Sequence, residues 1–225
     1  MRMRPWILIG YAVTFLSVLF FVYTANTEQS DPAKTISELV SLISKNMVSD
    51  TKMKDVASKD KKIFEEYRTA NQKFHKKIAE FIDFEKLGTD SMPKKWQDKY
   101  WSISSGEKKK FLALLQTLIE EIVYPRGKDF FENVKIVYHK PKYSSDQKQV
   151  DLRCTVHVEK KEVELLYRLI RRGTQWKIFD VNIEGEWWTD SFKNQFNHII
   201  TTKSYDELIS AMKKKLGNVQ AGTSF

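Results

Sequence analysis

Four histidines and one isolated carboxylate are the side chains in this sequence whose types could support catalysis or metal binding. The histidines are far apart and no pair has the spacing of metal ligands; they are His75, His139, His157 and His198. Asp180 lies within an apolar run, and a carboxylate inside a pocket can act as a general base. No second carboxylate accompanies it, so accepting hydrogen bonds from a neighbouring loop is the simpler role.

Other signatures of catalysis are missing from the sequence. No glycine-rich phosphate loop follows a strand-like segment, and no serine stands in a nucleophile elbow. The only cysteine, Cys154, alternates with Leu152 and Val156, which is typical of a small buried strand residue. The sequence therefore predicts a protein that acts by non-covalent binding, without a metal or a cofactor, and not an enzyme.

The distribution of charge argues against nucleic acid as a partner. The net charge is +9, but the basic residues are scattered over helix ends and form no stripe interleaved with aromatic residues. A weak attraction to anionic lipid surfaces or to acidic partners fits this distribution better.

Two adjacent tryptophans, Trp187 and Trp188, stand between acidic residues just after an apolar run. Adjacent side chains point in different directions on any regular backbone, so one core face does not easily bury both rings. One interpretation places one ring inward and the other at the rim of a binding site, where an amphipathic ring meets lipid or membrane. In the alternative, the loop folds back and buries both.

The helices and strands that position these residues can be predicted from the spacing of apolar residues along the chain. Apolar residues recur every three to four positions from about residue 36 to 123, which predicts helices, including a wide apolar face at 107–123. The period then changes to two and predicts four consecutive strands, at 134–139, 150–158, 163–170 and 176–183. Helical spacing returns after Gly185. The sequence predicts an α+β fold, with helices packed on one face of a curved antiparallel sheet.

Near the N-terminus, an apolar segment follows two arginines, Arg2 and Arg4, and precedes a polar stretch. The 18 residues from Trp6 to Tyr23 carry no charge, and as a helix they would span about 27 Å, close to the bilayer core. We expect an uncleaved signal anchor, because Ala25 is a poor cleavage site. The alternative is a signal peptide cleaved near Ala25, and either would place the remaining chain across the membrane.

The expected domain organisation has four parts. They are a signal anchor or signal peptide at residues 1–25, a linker at 26–35, one domain at 36–216 and a flexible tail at 217–225.

Four segments together resemble the MlaC family, also called the toluene-tolerance family. They are FIDFEKLGTDSMPKKW, EKKKFLALLQTLIEEIVYPRG, YRLIRRGTQWKIFDVNIEGE and FKNQFNHII. The likeness covers about residues 35–215, and its most specific part is WKIFDVNIEG followed by QFNHII. The chain departs from the family after Gly185, where Trp187 and Trp188 are new, and in its expected anchor.

The resemblance implies a cystatin-like or nuclear-transport-factor-like cone of sheet and helices that encloses an apolar pocket. It implies a periplasmic phospholipid carrier, with phospholipid as cargo, that exchanges lipid with an inner-membrane ABC transporter bearing a lipid-binding ring protein. An outer-membrane complex is a further expected partner. The candidate pocket residues on helix 107–123 are Phe111, Leu115, Leu118 and Ile122. Those on the strands are Val156, Val158, Leu165, Tyr167 and Leu169, and those at the rim are Trp187 and Trp188.

Two rival functions remain open at this point. Inner-membrane components of type IV secretion systems also place an α+β domain after one N-terminal span, as an interaction module with a filled core. An enzyme on the same fold would need a polar group at the cavity floor. The size of the cavity discriminates between a carrier and an assembly module.

Overall fold

The computed structural model describes residues 31–158 and 161–223. The expected anchor at 6–23 lies outside the described residues, as does the first half of the expected linker, residues 26–30. Among the residues that are described, no helix is both long and apolar enough to cross a membrane.

Within the described residues, seven α-helices precede the sheet. They are α1 (Pro32–Asn46), α2 (Asp50–Ala57), α3 (Lys61–Ala79), α4 (Phe84–Ser91), the single turn α5 (Lys94–Trp96), α6 (Ser105–Leu118) and α7 (Tyr124–Phe131). Two π-helical turns interrupt this part of the chain, at Gln97–Trp101 and at Ile119–Val123. The second turn joins α6 to α7 directly, so the helix predicted at 107–123 is not a uniform α-helix.

The sheet is antiparallel, and the four predicted strands are its main members. They are β1 (Lys135–Tyr138), β3 (Gln149–Val158), β4 (Lys161–Arg172) and β5 (Gln175–Ile183), with the two-residue strands β2 (Lys142–Tyr143) and β6 (Glu186–Trp187). The strand order is β1-β3-β4-β5-β6, and β2 pairs with β3. The α+β class with an antiparallel sheet is thus confirmed.

One face of the sheet is buried against helices. On β3 the side chains of Val150, Leu152, Cys154 and Val156 are buried, whereas the intervening Arg153 is exposed. Burial raises the pKa of the Cys154 thiol to about 12, as expected for an inert core cysteine. This alternation buries one face of the antiparallel sheet.

Two helices, α8 (Trp188–Thr202) and α9 (Tyr205–Gln220), follow the sheet. The expected flexible tail at 217–225 is wrong for its first residues, because α9 continues to Gln220 and Val219 is buried. The expected linker at 26–35 also ends early. Asp31 accepts a hydrogen bond from the Ala33 backbone N–H, and Pro32 begins α1, where its missing N–H costs nothing.

Candidate functional site

An apolar cavity of about 510 Å³ lies between strands β4 and β5 and the helices α1, α7 and α8. This volume falls within the range of about 300–1,000 Å³ that ligand pockets occupy. The cavity is lined by Leu39, Ile43, Ile82, Leu87, Ile119, Val123, Tyr124, Arg126, Gly127, Phe130, Phe131, Leu165, Tyr167, Ile178, Asp180, Val181, Ile183, Trp188, Ser191 and Phe192.

The sheet forms one wall of the cavity. Leu165 and Tyr167 of β4 lie opposite Ile183 and Val181 of β5 in the antiparallel register, and all four line the cavity. Burial raises the pKa of the Tyr167 phenol, so this side chain stays neutral at physiological pH. The segment before α4 completes this wall, because Ile82 forms a parallel bridge with Ile178.

Two of the five strand residues predicted for the pocket wall, Leu165 and Tyr167, therefore border the cavity. Val156 and Leu169 are fully buried in the core instead, and Val158 is partly buried against it. Strand alternation correctly placed these side chains on or near the helix-covered face. It could not show which part of that face is filled by helices and which part is left open.

The helical wall comes from the π-helical turn and not from the predicted face of the helix. Ile119, Val123 and Tyr124 line the cavity. The four predicted residues do not: Phe111 and Leu115 are buried in the core, while Leu118 and Ile122 are half-buried outside the lining.

The physical reason is the change of helical period. The Tyr124 N–H donates to the Ile119 carbonyl five residues earlier, which widens the turn and rotates the residues that follow. Pro125 has no N–H to offer to a carbonyl four residues earlier, so it breaks the regular hydrogen-bond ladder at this point. This proline was the sequence signal that could have indicated the rotation.

The two tryptophans have different surroundings, and Trp187, which was predicted for the rim, is not among the cavity-lining residues. Trp188 is half-buried and lines the cavity. Trp187 is also half-buried, but its ring lies against the Arg168 guanidinium, with 3.6 Å between the guanidinium carbon and the ring centroid. The alternative in which the loop buries both rings is therefore wrong.

Asp180 is buried beside the cavity and is occupied by hydrogen bonds. Its carboxylate accepts from the Thr189 N–H at 3.1 Å, the Thr189 hydroxyl at 2.6 Å and the Val181 N–H at 3.0 Å. Desolvation raises the pKa of Asp180, and these bonds together with the Arg168 charge oppose that rise. A general base needs a free lone pair directed at its substrate. Asp180 instead anchors the first turn of α8, which agrees with the simpler role predicted from the sequence.

A second buried polar cluster lies behind the π-helical turn. His75 Nδ1 is 3.7 Å from Glu120 Oε2, and the His75 ring packs edge-on against Tyr124. Within the described part of the chain, His75 Nε2 and the Tyr124 hydroxyl have no hydrogen-bond partner. Burial lowers the pKa of His75 and the nearby Glu120 carboxylate partly offsets this shift.

Comparison with known proteins gives a family match and a fold match. The family model described as MlaC protein matches residues 46–214. The fold is similar to that of the phospholipid-binding protein from Ralstonia solanacearum, solved in complex with a phospholipid. The TM-score is 0.61 at 18% identity, and the match covers 83% of this chain and 95% of that one. No curated protein matches the chain.

Proposed function

The chain belongs to the MlaC family, and from this premise we propose that it is a phospholipid carrier that holds acyl chains in the cavity between β4, β5 and α8. The single observation that carries the proposal is the apolar cavity of about 510 Å³. A phospholipid complex of the structurally similar Ralstonia solanacearum protein supports it. Carriage of this kind is non-covalent and requires no acid, base, metal or cofactor.

The energetics of such a cavity suit a carrier. Moving a methylene from water to an apolar wall is worth about 0.8 kcal/mol, so about fifteen methylenes are worth about 12 kcal/mol. The same chain gains a similar amount in a bilayer, so transfer from membrane to cavity is nearly neutral. The protein would thus lower the cost of crossing water without trapping its cargo.

The proposed setting is the periplasm, with the domain held at the inner membrane by residues 6–23. The proposed partners are an inner-membrane ABC transporter with a lipid-binding ring protein and an outer-membrane acceptor. This setting rests on the family resemblance and on the uncharged 18-residue run. Intact mass measured on protein from the membrane fraction tests the anchor, and a mature N-terminus near Asn26 in the soluble periplasm would contradict it.

The assembly-module alternative fits the cavity less well. An interaction module with a filled core has no room for acyl chains, whereas the space here is lined almost entirely by apolar side chains. Lipid content is therefore the measurement that separates the two functions.

Native mass spectrometry of a soluble form that starts at Asn26 tests the proposal. Val123→Trp adds bulk to a half-buried position that lines the cavity. Ile122→Trp is the matched control, since Ile122 is also half-buried, lies in the same π-helical turn and does not line the cavity. We expect phospholipid in the parent and in Ile122→Trp, and less lipid per folded molecule in Val123→Trp. A parent protein free of lipid would favour the assembly module.

A further inference from the structure

The lining of the cavity includes an exposed positive charge. Among the residues that the structure describes, the charged side chains that line the cavity are Arg126 and Asp180. Asp180 is buried and its carboxylate accepts three hydrogen bonds from Val181 and Thr189, so it is held inside the protein and does not face solvent at the opening. The Arg126 side chain, at the start of α7, is 51% exposed although it lines the cavity, so it can reach both the cargo and water.

Arg126 is only partly neutralised by its surroundings. Its Nε lies 3.6 Å from Asp50 Oδ2, and the same oxygen is only 2.6 Å from Lys54 Nζ. The Asp50 carboxylate is therefore shared between Lys54 and Arg126, and the Arg126 contact is the longer of the two. No hydrogen bond or other ion pair reaches the Arg126 guanidinium from the described part of the chain.

The chemistry of the lining fixes how an amphiphile must lie. The cavity wall is apolar, so acyl chains fill it while the polar end stays at the rim where water reaches. The neighbour Gly127 also lines the cavity, which keeps the backbone of α7 close to the cargo. A guanidinium presents a planar set of N–H donors that matches phosphate geometry and can bind two oxygens at once.

We propose that Arg126 binds the phosphate of the lipid whose acyl chains occupy the cavity. This inference rests on the proposed function and deepens it, because it orients the cargo with its head at α7. It also specifies the cargo as diacyl lipid that carries a phosphate. Diacylglycerol has the same chains and no phosphate, so it is the discriminating ligand.

The test uses the full chain and two photoreactive lipids, phosphatidylglycerol and diacylglycerol with identical labelled acyl chains. Arg126→Gln removes the charge, and Arg126→Lys keeps it without the planar donor set. Arg153→Gln is the matched control, because Arg153 on β3 is 54% exposed and 3.5 Å from Glu164. The readout is the ratio of phosphatidylglycerol to diacylglycerol crosslinked at physiological ionic strength.

We expect the parent and Arg153→Gln to prefer phosphatidylglycerol. In Arg126→Gln the preference should fall by about tenfold, a factor that corresponds to about 1.4 kcal/mol. Diacylglycerol crosslinking should be unchanged, which also reports that the variant is folded, and Arg126→Lys should retain part of the preference. Excess inorganic phosphate should compete poorly, because it lacks the acyl chains that hold the lipid.

Four results would overturn the inference. An unchanged preference in Arg126→Gln would show that this side chain does not bind the phosphate. Full competition by inorganic phosphate would assign Arg126 to free phosphate instead. If the parent crosslinks both lipids equally, the inference fails while the carrier function stands, whereas crosslinking of neither lipid in the cavity removes both.

Discussion

The Arg168 guanidinium carbon lies 3.6 Å from the centroid of the Trp187 ring, and its Nη1 lies 3.6 Å from Asp180 Oδ2. Arg168 on β4 thus contacts both Asp180 on β5 and Trp187, the residue that precedes α8. Because Trp187 is held against Arg168, the next residue, Trp188, is directed into the cavity lining. The pair of tryptophans therefore divides into one structural contact and one cavity residue.

Alanine at each tryptophan should separate the two roles. Trp187→Ala removes a cation–π contact and is expected to cost about 1–2 kcal/mol of unfolding free energy, with lipid content unchanged. Trp188→Ala should lower the lipid retained per folded molecule. Chemical denaturation and lipid extraction on both variants check this, and equal lipid loss in the two would contradict the division.

Removal of the Asp180 carboxylate should destabilise the corner between β5 and α8. Asp180→Ala leaves the buried Thr189 N–H and hydroxyl without an acceptor, and we expect a loss of about 3 kcal/mol. Thr189→Ser keeps a hydroxyl donor and serves as the control, with a smaller loss expected. Urea titration measures both, and a loss below 1 kcal/mol in Asp180→Ala would mean that its hydrogen bonds do not hold α8.

His75 should make the protein less stable in mild acid. Its pKa is lowered in the folded state, so below about pH 6.5 the unfolded chain binds more protons than the folded chain. Stability should therefore fall as pH drops from 6.5 towards the lowered folded pKa, by at most about 1.4 kcal/mol per pH unit from this group. Below that folded pKa the contribution of His75 no longer changes.

His75→Gln should flatten this part of the stability profile. The control is His198→Gln, which replaces an exposed histidine on α8. The test is thermal unfolding between pH 5 and pH 7.5. If the stability of His75→Gln falls with pH as steeply as that of the parent, the acid sensitivity belongs to other groups.

Two glycine substitutions, one in α9 and one in α4, compare a gain in helix propensity with crowding. Gly217 lies within α9 with no atom near an added Cβ, so Gly217→Ala should stabilise by about 0.5–1 kcal/mol. At Gly88, on α4, an added Cβ would come within 2.3 Å of Leu112 Cδ2, so the gain in helix propensity should be lost to crowding. The melting temperatures of Gly217→Ala and Gly88→Ala, each compared with the parent, measure the two effects. No effect of Gly217→Ala would show that helix propensity at position 217 contributes nothing to stability.

Sequence periodicity was sufficient to predict the features that depend on a single helix or strand. Alternation located the four main strands and the buried side of Cys154, since successive side chains of a strand point to opposite faces. It also placed Leu165 and Tyr167 on the face where the cavity lies. The isolated position of Asp180 correctly favoured hydrogen bonds from a neighbouring loop over catalysis.

Tertiary structure decided where the space between the elements lies. Leu118 and Ile122 fit a regular helical face, but the π-helical turn moves Ile119 and Val123 into the lining instead. Arg126 carried no sequence signal that distinguished it from other scattered basic residues. Its position depends on how helices α1, α7 and α8 pack around the cavity that they share with the sheet. Periodicity reports the orientation of side chains within one element, whereas a cavity depends on the distances between elements that are far apart in sequence.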